Sequence, residues 1–267
     1  MEITHLDPVS GLAWSVFRGG REEVMRALGS EHADAIHAFR DLRGGSWQAQ
    51  VRRADGAAAE RFDAVRESTS RLLPVESQEL AWIAEGAGVP ERELWARNLR
   101  GDLGRDGTGC SDLALTTDAG VLMGHNEDGD GELRDEIRLV TLDIEGDPTI
   151  TAVWYPGMLP SNAFVTTADG LAFGMDHVPV VTADTSGAGR HFVARHAQRQ
   201  HSGEAARAAL SVGALRRRLR VRRRRRRRAR GPDRECGGAR RPRIGPVSAH
   251  EPSAPARRHR GRPRGAR

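Results

Sequence analysis

The residues best suited to chemistry lie between Gly109 and Asp130. Cys110, one of only two cysteines, follows a polar, glycine-rich stretch and precedes a short apolar segment. Four apolar residues are spaced at two on either side of a turn at 117–120: Leu113, Leu115, Val121 and Met123. This alternation predicts two strands joined by a tight hairpin. Cys110 then opens the first strand and the polar residues 125–128 close the second, so a thiol and a carboxylate meet at one end of the hairpin.

These residues also carry a resemblance to a known family. The motifs resemble those of the isopenicillin N acyltransferase-like cysteine hydrolases of the N-terminal-nucleophile (Ntn) superfamily, and the β-alanyl amine hydrolases of insects are similar. The similarity covers residues 10 to about 210, and its motifs are Gly109-Cys110, Gly124–Asp128 (GHNED), Glu79–Val89 (ELAWIAEGAGV), Tyr155–Phe164 (YPGMLPSNAF) and Asp169–Ala172 (DGLA). The resemblance implies autocatalytic cleavage before Cys110, a four-layer αββα sandwich, and a site without cofactor or metal.

Cys110 is the predicted nucleophile. At the start of a processed chain its own α-amine, with a reference pKa of about 8, can take the proton of a thiol with one of about 8.5. Gly109 lacks a side chain, so the thiol can reach the preceding carbonyl for self-cleavage. The alternative is an inert cysteine buried in the core.

Asp128, Asn126 and Asn162 are further candidate site residues. Asp128 matches the family's catalytic acidic position and would orient the new amine or the substrate, although a turn hydrogen bond is the alternative. Asn126 would donate to an oxyanion or cap the turn, and Asn162 is a further candidate for substrate or oxyanion contacts. Glu127 alternates with Asp128 along the strand, so we expect it to face solvent.

The sequence predicts no metal site. His125 followed by two acidic residues lacks the separated, convergent ligand spacing of such sites. Asp176 stands where the family usually has asparagine, and a carboxylate cannot donate an amide hydrogen bond. The resemblance implies a small-molecule acyl-amide or acyl-CoA as the partner, with no cofactor.

The chain of 267 residues divides into two regions of opposite charge. Residues 1–215 hold 20 arginines and 33 acidic residues, a net charge of −13, whereas residues 216–267 hold 22 arginines and 3 acidic residues, a net charge of +19. Two cysteines do not make a disulfide framework. No signal peptide and no membrane-spanning run is recognisable. We expect a soluble, cytoplasmic protein with a free thiol at Cys110.

Residues 213–267 form a tail rich in Arg, Pro and Gly. Its apolar surface is too small to offset the entropy of ordering, so disorder is predicted. One interpretation is a segment that binds nucleic acid or a membrane through its arginines. The other is a shifted reading frame in a GC-rich gene, which also explains why the family pattern fades after about residue 212.

Helices before Cys110 and strands after it predict an α+β fold. The expected units are a helical pro-segment at 1–109, the N-terminal part of a β-rich catalytic domain at 110–212, and the tail at 213–267. A strand is predicted at 10–18, and helices at 21–43 (interrupted at Gly29-Ser30), 57–72, 75–86 and 90–95. Later strands are predicted at 137–142, 149–154, 163–167 and 171–175, and a helix at 190–210. The resemblance refines this fold to an incomplete Ntn-hydrolase-like αββα sandwich.

The predicted function is that of an autoprocessing cysteine amidohydrolase or acyltransferase. Cys110 would attack an amide or thioester carbonyl, and water or an amine would accept the acyl group from the acyl-cysteine. The family's C-terminal third has no counterpart here, which places the activity of this chain in question. The alternatives are a nucleic-acid-binding protein that uses the tail and an inactive scaffold.

Overall fold

The computed structural model describes residues 1–103, 109–118, 120–129, 131–133, 135–161, 163–176 and 184–211. Asn162 and the predicted tail at 213–267 lie outside this part of the chain. The strands are β1 Glu2–Val9, β2 Leu12–Gly19, β3 Ser111–Thr117, β4 Gly120–Asn126, β5 Arg138–Ile144, β6 Ile150–Trp154, β7 Phe164–Thr167 and β8 Ala172–Gly174. The helices are α1 Arg21–Glu31, α2 Ala33–Arg40, α3 Ser46–Asp55, α4 Ala59–Leu72, α5 Pro74–Ala87, α6 Glu91–Asn98, α7 Arg190–Gln198 and α8 Gly203–Leu210. The predicted α+β class is confirmed.

Six strands form one sheet in the order β1-β2-β5-β6-β7-β8. Strands β2 and β5 pair in parallel, from Trp14 opposite Leu139 to Gly19 opposite Ile144, whereas the other neighbours are antiparallel. The Trp14 indole N–H also donates to the Thr141 hydroxyl at 2.9 Å. Segments on both sides of Cys110 therefore belong to the same sheet.

Strand β1 at the edge of this sheet was not predicted. Its side chains are almost all exposed, so the segment lacks the apolar alternation that indicates a strand. The antiparallel register with β2 also shifts between Leu6 and Val9. The strand predicted at 10–18 is confirmed as β2, which begins and ends slightly later.

The predicted division of residues 21–43 into two helices is confirmed as α1 and α2, but α1 continues through Gly29 to Glu31 and the break lies at His32. A Cβ on Gly29 would collide with the carbonyl oxygen of Ile83 in α5, and a Cβ on Gly86 would collide with that of Arg26 in α1. Glycine here allows two helix backbones to approach closely, which offsets its low helix propensity.

The core lies between the large sheet and the helices. It contains Phe17, Val140 and Leu142 from the sheet, together with Leu28 and Ile83 from α1 and α5. Of the helices that the structure describes, none has the length and apolar character needed to cross a membrane.

A buried ion network joins α1, α5, α7 and the turn after β5. The Glu79 carboxylate accepts hydrogen bonds from Arg21 and Arg195, at distances between 2.6 and 3.0 Å. The Asp147 carboxylate accepts from Arg21 and Arg199, at distances between 2.7 and 3.4 Å. Each buried charge therefore has a partner, and helix α7 is tied to two earlier helices.

His32, between α1 and α2, makes stability depend on pH. Its ring lies 5.9 Å from that of Phe17 and 5.1 Å from that of Trp154. Burial, with smaller contributions from Arg138 and His5, lowers the pKa of His32 to about 4. In the unfolded chain the His32 imidazole has a pKa of about 6.5. Between pH 6.5 and pH 4 it therefore binds a proton in the unfolded chain but not in the folded chain, so the free energy of unfolding falls as the pH is lowered.

We expect His32 to remove about 3 kcal/mol of unfolding free energy between pH 7 and pH 4. His32→Phe keeps an aromatic ring and removes the titration. Urea denaturation of both proteins at several pH values measures the difference between them. A difference that does not change with pH would contradict a neutral, buried imidazole at this position.

Candidate functional site

Strands β3 and β4 form the predicted hairpin, with register from Ser111 opposite Asn126 to Thr117 opposite Gly120. The hairpin is a separate two-stranded sheet. Its apolar side chains are exposed, between 46% and 74% for Leu113, Leu115, Val121 and Leu122. The alternation thus identified the strands, although these four apolar side chains are exposed.

The Cys110 thiol lies at the open end of this hairpin. It is partly buried and donates a hydrogen bond to Oε2 of Glu127 at 3.2 Å. The backbone N–H of Asp128 donates to the sulfur at 3.5 Å. In the antiparallel hairpin Ser111 pairs with Asn126, the last residue of β4. Cys110, one position before Ser111, therefore lies beside the residues that follow β4. The thiol is in contact with polar groups and is not enclosed in the core.

The carboxylate beside the thiol belongs to Glu127, and the expectation that Glu127 faces solvent was wrong. Its side chain is 19% exposed. Strand β4 ends at Asn126, so strand alternation no longer governs which way residue 127 points. The Asp128 carboxylate instead accepts a hydrogen bond from the Asn126 side-chain amide at 3.1 Å, and both residues are exposed.

His125 extends the cluster, although the sequence assigned it no role. Its Nε2 lies 3.0 Å from Oε2 of Glu127, and its Nδ1 lies 2.8 Å from Oδ1 of Asp112. The side chain is only 4% exposed, and its ring lies parallel to that of Phe164. Asp112 and His125 are direct cross-strand partners, so the predicted hairpin register could have revealed this pair.

The cluster shifts the pKa values of its members. Burial raises the pKa of the Cys110 thiol; the Asp128 N–H opposes the shift and the Glu127 carboxylate adds to it. For His125, burial opposes the charged ring, but hydrogen bonds to Glu127 and Asp112 outweigh it and raise the pKa. The thiol therefore holds its proton more strongly than a free cysteine, and the ring holds its charge more strongly than a free histidine.

Tyr155 completes the environment of Glu127. This side chain is buried, and burial together with the charge of the Glu127 carboxylate raises the Tyr155 pKa. A Cβ on Gly129 would lie 3.3 Å from the Tyr155 hydroxyl. Glu127 thus receives hydrogen bonds from the Cys110 thiol and the His125 imidazole, and the Tyr155 phenol belongs to its electrostatic surroundings.

Gly174 in β8 allows the hairpin to lie against the large sheet. A Cβ at this position would overlap the Asp112 carboxylate, so only glycine leaves room for it. The Asp176 carboxylate is also close, within 4.8 Å of ligand atoms of Asp112 and His125. Asp176, singled out in the sequence as a departure from the family pattern, is therefore at the site.

A cavity of about 420 Å³ opens beside Gly174 and Asp176. Its wall is mostly apolar and comes from β8, α7 and α8, with Phe173, Val193 and Leu210 as the larger contributors. The size and lining suit the apolar part of a small molecule.

Within the part of the chain that the structure describes, two overlapping groups of side chains could hold a metal ion. One consists of Cys110, His125 and Glu127, and the other of Asp112, His125 and Asp176. These residues do not form a recognisable metal-binding motif in the sequence. They converge because the hairpin brings residues 110–112 beside residues 125–127.

No protein-family model and no curated protein matches the chain. The resemblance to the cysteine hydrolases thus remains a prediction, and function has to be argued from the site. Of the predicted site residues, Cys110, Asn126 and Asp128 lie together, and Gly109 adjoins them.

Proposed function

We propose that the chain is a cysteine-dependent amidohydrolase or acyltransferase that acts on a small acyl-amide or acyl-thioester. The observation that supports the proposal is the contact between the Cys110 thiol and a Glu127 carboxylate that the His125 imidazole also holds by a hydrogen bond. Such a pairing of nucleophile and base activates a weakly acidic thiol. The expected fold is the αββα sandwich, of which the six-stranded sheet and the hairpin would each form part of a β-layer.

In the reaction, Glu127 takes the thiol proton as the sulfur attacks the carbonyl carbon. A C–S bond forms and the carbonyl oxygen becomes an oxyanion. Collapse breaks the bond to the amine, which leaves with the proton held by Glu127, and an acyl-Cys110 remains. Water or a second amine then attacks this thioester and returns a proton to the sulfur.

The first substrate would be the chain itself. Attack of the Cys110 thiol on the Gly109 carbonyl transfers the peptide acyl group from nitrogen to sulfur, and water then hydrolyses the thioester. The products are residues 1–109 and a chain that begins with Cys110. The new α-amine adds a second base beside the thiol.

The acyl group of an external substrate would enter the apolar cavity. Asp112 and His125 connect the cavity wall at Gly174 to Glu127 through two hydrogen bonds. Apolar acyl groups of moderate size are therefore the proposed substrates.

Glu127→Gln should slow self-cleavage and substrate turnover by about 10²-fold or more, because an amide cannot accept the thiol proton. Asp128→Asn should reduce both rates by a smaller factor, since it keeps the backbone N–H that contacts the sulfur. Intact-mass measurements over time and release of amine from acyl-amides quantify both steps.

Glu145→Gln is the matched control, because Glu145 is an exposed residue in the turn after β5. Its rates should equal those of the unmodified chain. A larger loss in Asp128→Asn than in Glu127→Gln would instead assign proton transfer to Asp128, as the resemblance implies.

The alternative function, nucleic-acid binding through the arginine-rich tail, depends on residues outside the described part of the chain. Even an accidental run of arginines would bind nucleic acid with strong salt dependence. Binding alone therefore does not discriminate between the two interpretations of the tail, whereas reading the gene in all frames near codon 212 does.

A further inference from the structure

The end of the hairpin gathers potential metal ligands of three chemical kinds. The Cys110 sulfur, the His125 Nε2 and a Glu127 carboxylate oxygen all lie within 4.8 Å of one another. Thiolate, imidazole and carboxylate are the ligands that bind Zn²⁺ in proteins. The three residues come from a stretch of only 18 positions, and the hairpin register aligns them.

The separations of the Glu127 oxygen from the other two ligand atoms are close to those of a zinc site, and the sulfur and Nε2 lie within 4.8 Å of each other. Zn–S distances of about 2.3 Å and Zn–N or Zn–O distances of about 2.0–2.1 Å, with tetrahedral angles, place ligand atoms about 3.3–3.6 Å apart. The sulfur of Cys110 lies 3.2 Å from Oε2 of Glu127, which lies 3.0 Å from Nε2 of His125. Outward shifts of about 0.4 Å would therefore admit the ion.

Asp112 supplies the outer support that zinc-bound histidines need. A ligating imidazole usually donates its second N–H to a carboxylate, which fixes the ring and its tautomer. Nδ1 of His125 lies 2.8 Å from Asp112, and the nearly buried ring packs on Phe164. Nε2 is thus directed toward Glu127 before any ion is bound.

We infer that Cys110, His125 and Glu127 form a zinc site, with Asp112 as the positioning residue and a fourth position open to water. Two negative ligands, the thiolate and the carboxylate, balance the charge of the ion. The competing group, Asp112, His125 and Asp176, contains no sulfur and is therefore less suited to zinc. A zinc-bound Cys110 cannot attack a carbonyl, so zinc would inhibit the proposed reaction reversibly.

The site can be tested on the full-length chain without any turnover. Metal-free protein is titrated with Zn²⁺ in competition with a chromophoric chelator. We expect one tightly bound ion, a loss of affinity of at least tenfold in His125→Ala and in Glu127→Gln, and no displacement by excess Mg²⁺. Asp118→Asn, at the opposite end of the same hairpin, is the matched control and should bind zinc as the unmodified chain does.

Alkylation of the two cysteines locates the ion. Zn²⁺ should slow iodoacetamide modification of Cys110 at least tenfold and leave Cys236 unaffected, as read from peptide masses. Co²⁺ should give a near-ultraviolet thiolate band that Cys110→Ser removes. Thermal unfolding shows whether each variant is folded. If His125→Ala is not folded, the nearly isosteric Glu127→Gln serves as the test of the zinc site.

Two results would overturn the inference. One is zinc affinity unchanged in Glu127→Gln and His125→Ala; the other is equal protection of Cys110 and Cys236. The inference does not rest on the proposed enzymatic function. Zinc binding without self-cleavage would count against the enzyme alone, and self-cleavage without zinc binding would count against the metal site alone.

Discussion

Replacing Cys110 with alanine should abolish both self-cleavage and turnover of acyl substrates. Alanine has no nucleophile, so no acyl-enzyme can form and the rate should fall by about 10³-fold or more. Intact-mass measurement of Cys110→Ala should show only the 267-residue chain, whereas the unmodified chain should yield residues 1–109 and 110–267.

Two further variants make this result specific. Cys236→Ala removes the other cysteine and should retain both reactions. Cys110→Ser keeps a nucleophile that is less acidic than a thiol, so we expect slow self-cleavage. Full turnover by Cys110→Ala would show that the chemistry resides elsewhere, and the proposed function would then fail.

Glu79→Gln should lower the free energy of unfolding by about 3–5 kcal/mol, the largest stability effect that we expect from a single side chain. Glu79 is fully buried and pairs with Arg195, which is 1% exposed, and with Arg21. The neutral amide leaves the Arg195 guanidinium in the interior with only its more distant contact to Asp147, at 3.7 Å. An uncompensated buried charge is costly.

The matched change is Asp55→Asn, which removes one carboxylate from the exposed pairing of Arg92 with Asp55 and Asp63. Such surface pairs contribute about 0–1 kcal/mol. Urea denaturation of both variants measures the contrast. Equal losses would mean that burial of the Glu79 network does not matter for stability.

Local sequence patterns predicted the elements whose signals are local. Alternation on either side of a turn identified the β3–β4 hairpin, and the helical periodicity of residues 57–72 and 75–86 identified α4 and α5. The predicted helix at 190–210 is two helices, α7 and α8. The parallel pairing of β2 with β5 joins residues more than a hundred positions apart, and no short pattern reports such a contact.

The site shows the same limit. Cys110 and the carboxylates after β4 could be placed together, because a hairpin brings its two ends into contact. Which carboxylate meets the thiol depends on where β4 ends, and strand ends are the least predictable feature of a sequence. The effect of Glu127 on Tyr155 could not be predicted, since it depends on how the chain packs after β6.

The parallel pairing of β2 and β5 would hold the two products together if the chain were cut at Gly109–Cys110. The cleaved bond would lie between β2 and β5 in the sequence, and these strands would stay hydrogen-bonded to each other. The salt bridges Arg21–Asp147 and Glu79–Arg195 also join residues from the two sides of the cleaved bond. The two fragments would therefore remain associated without a covalent bond. Cleavage would release the α-amine of Cys110 at the end of the hairpin without changing the fold around it.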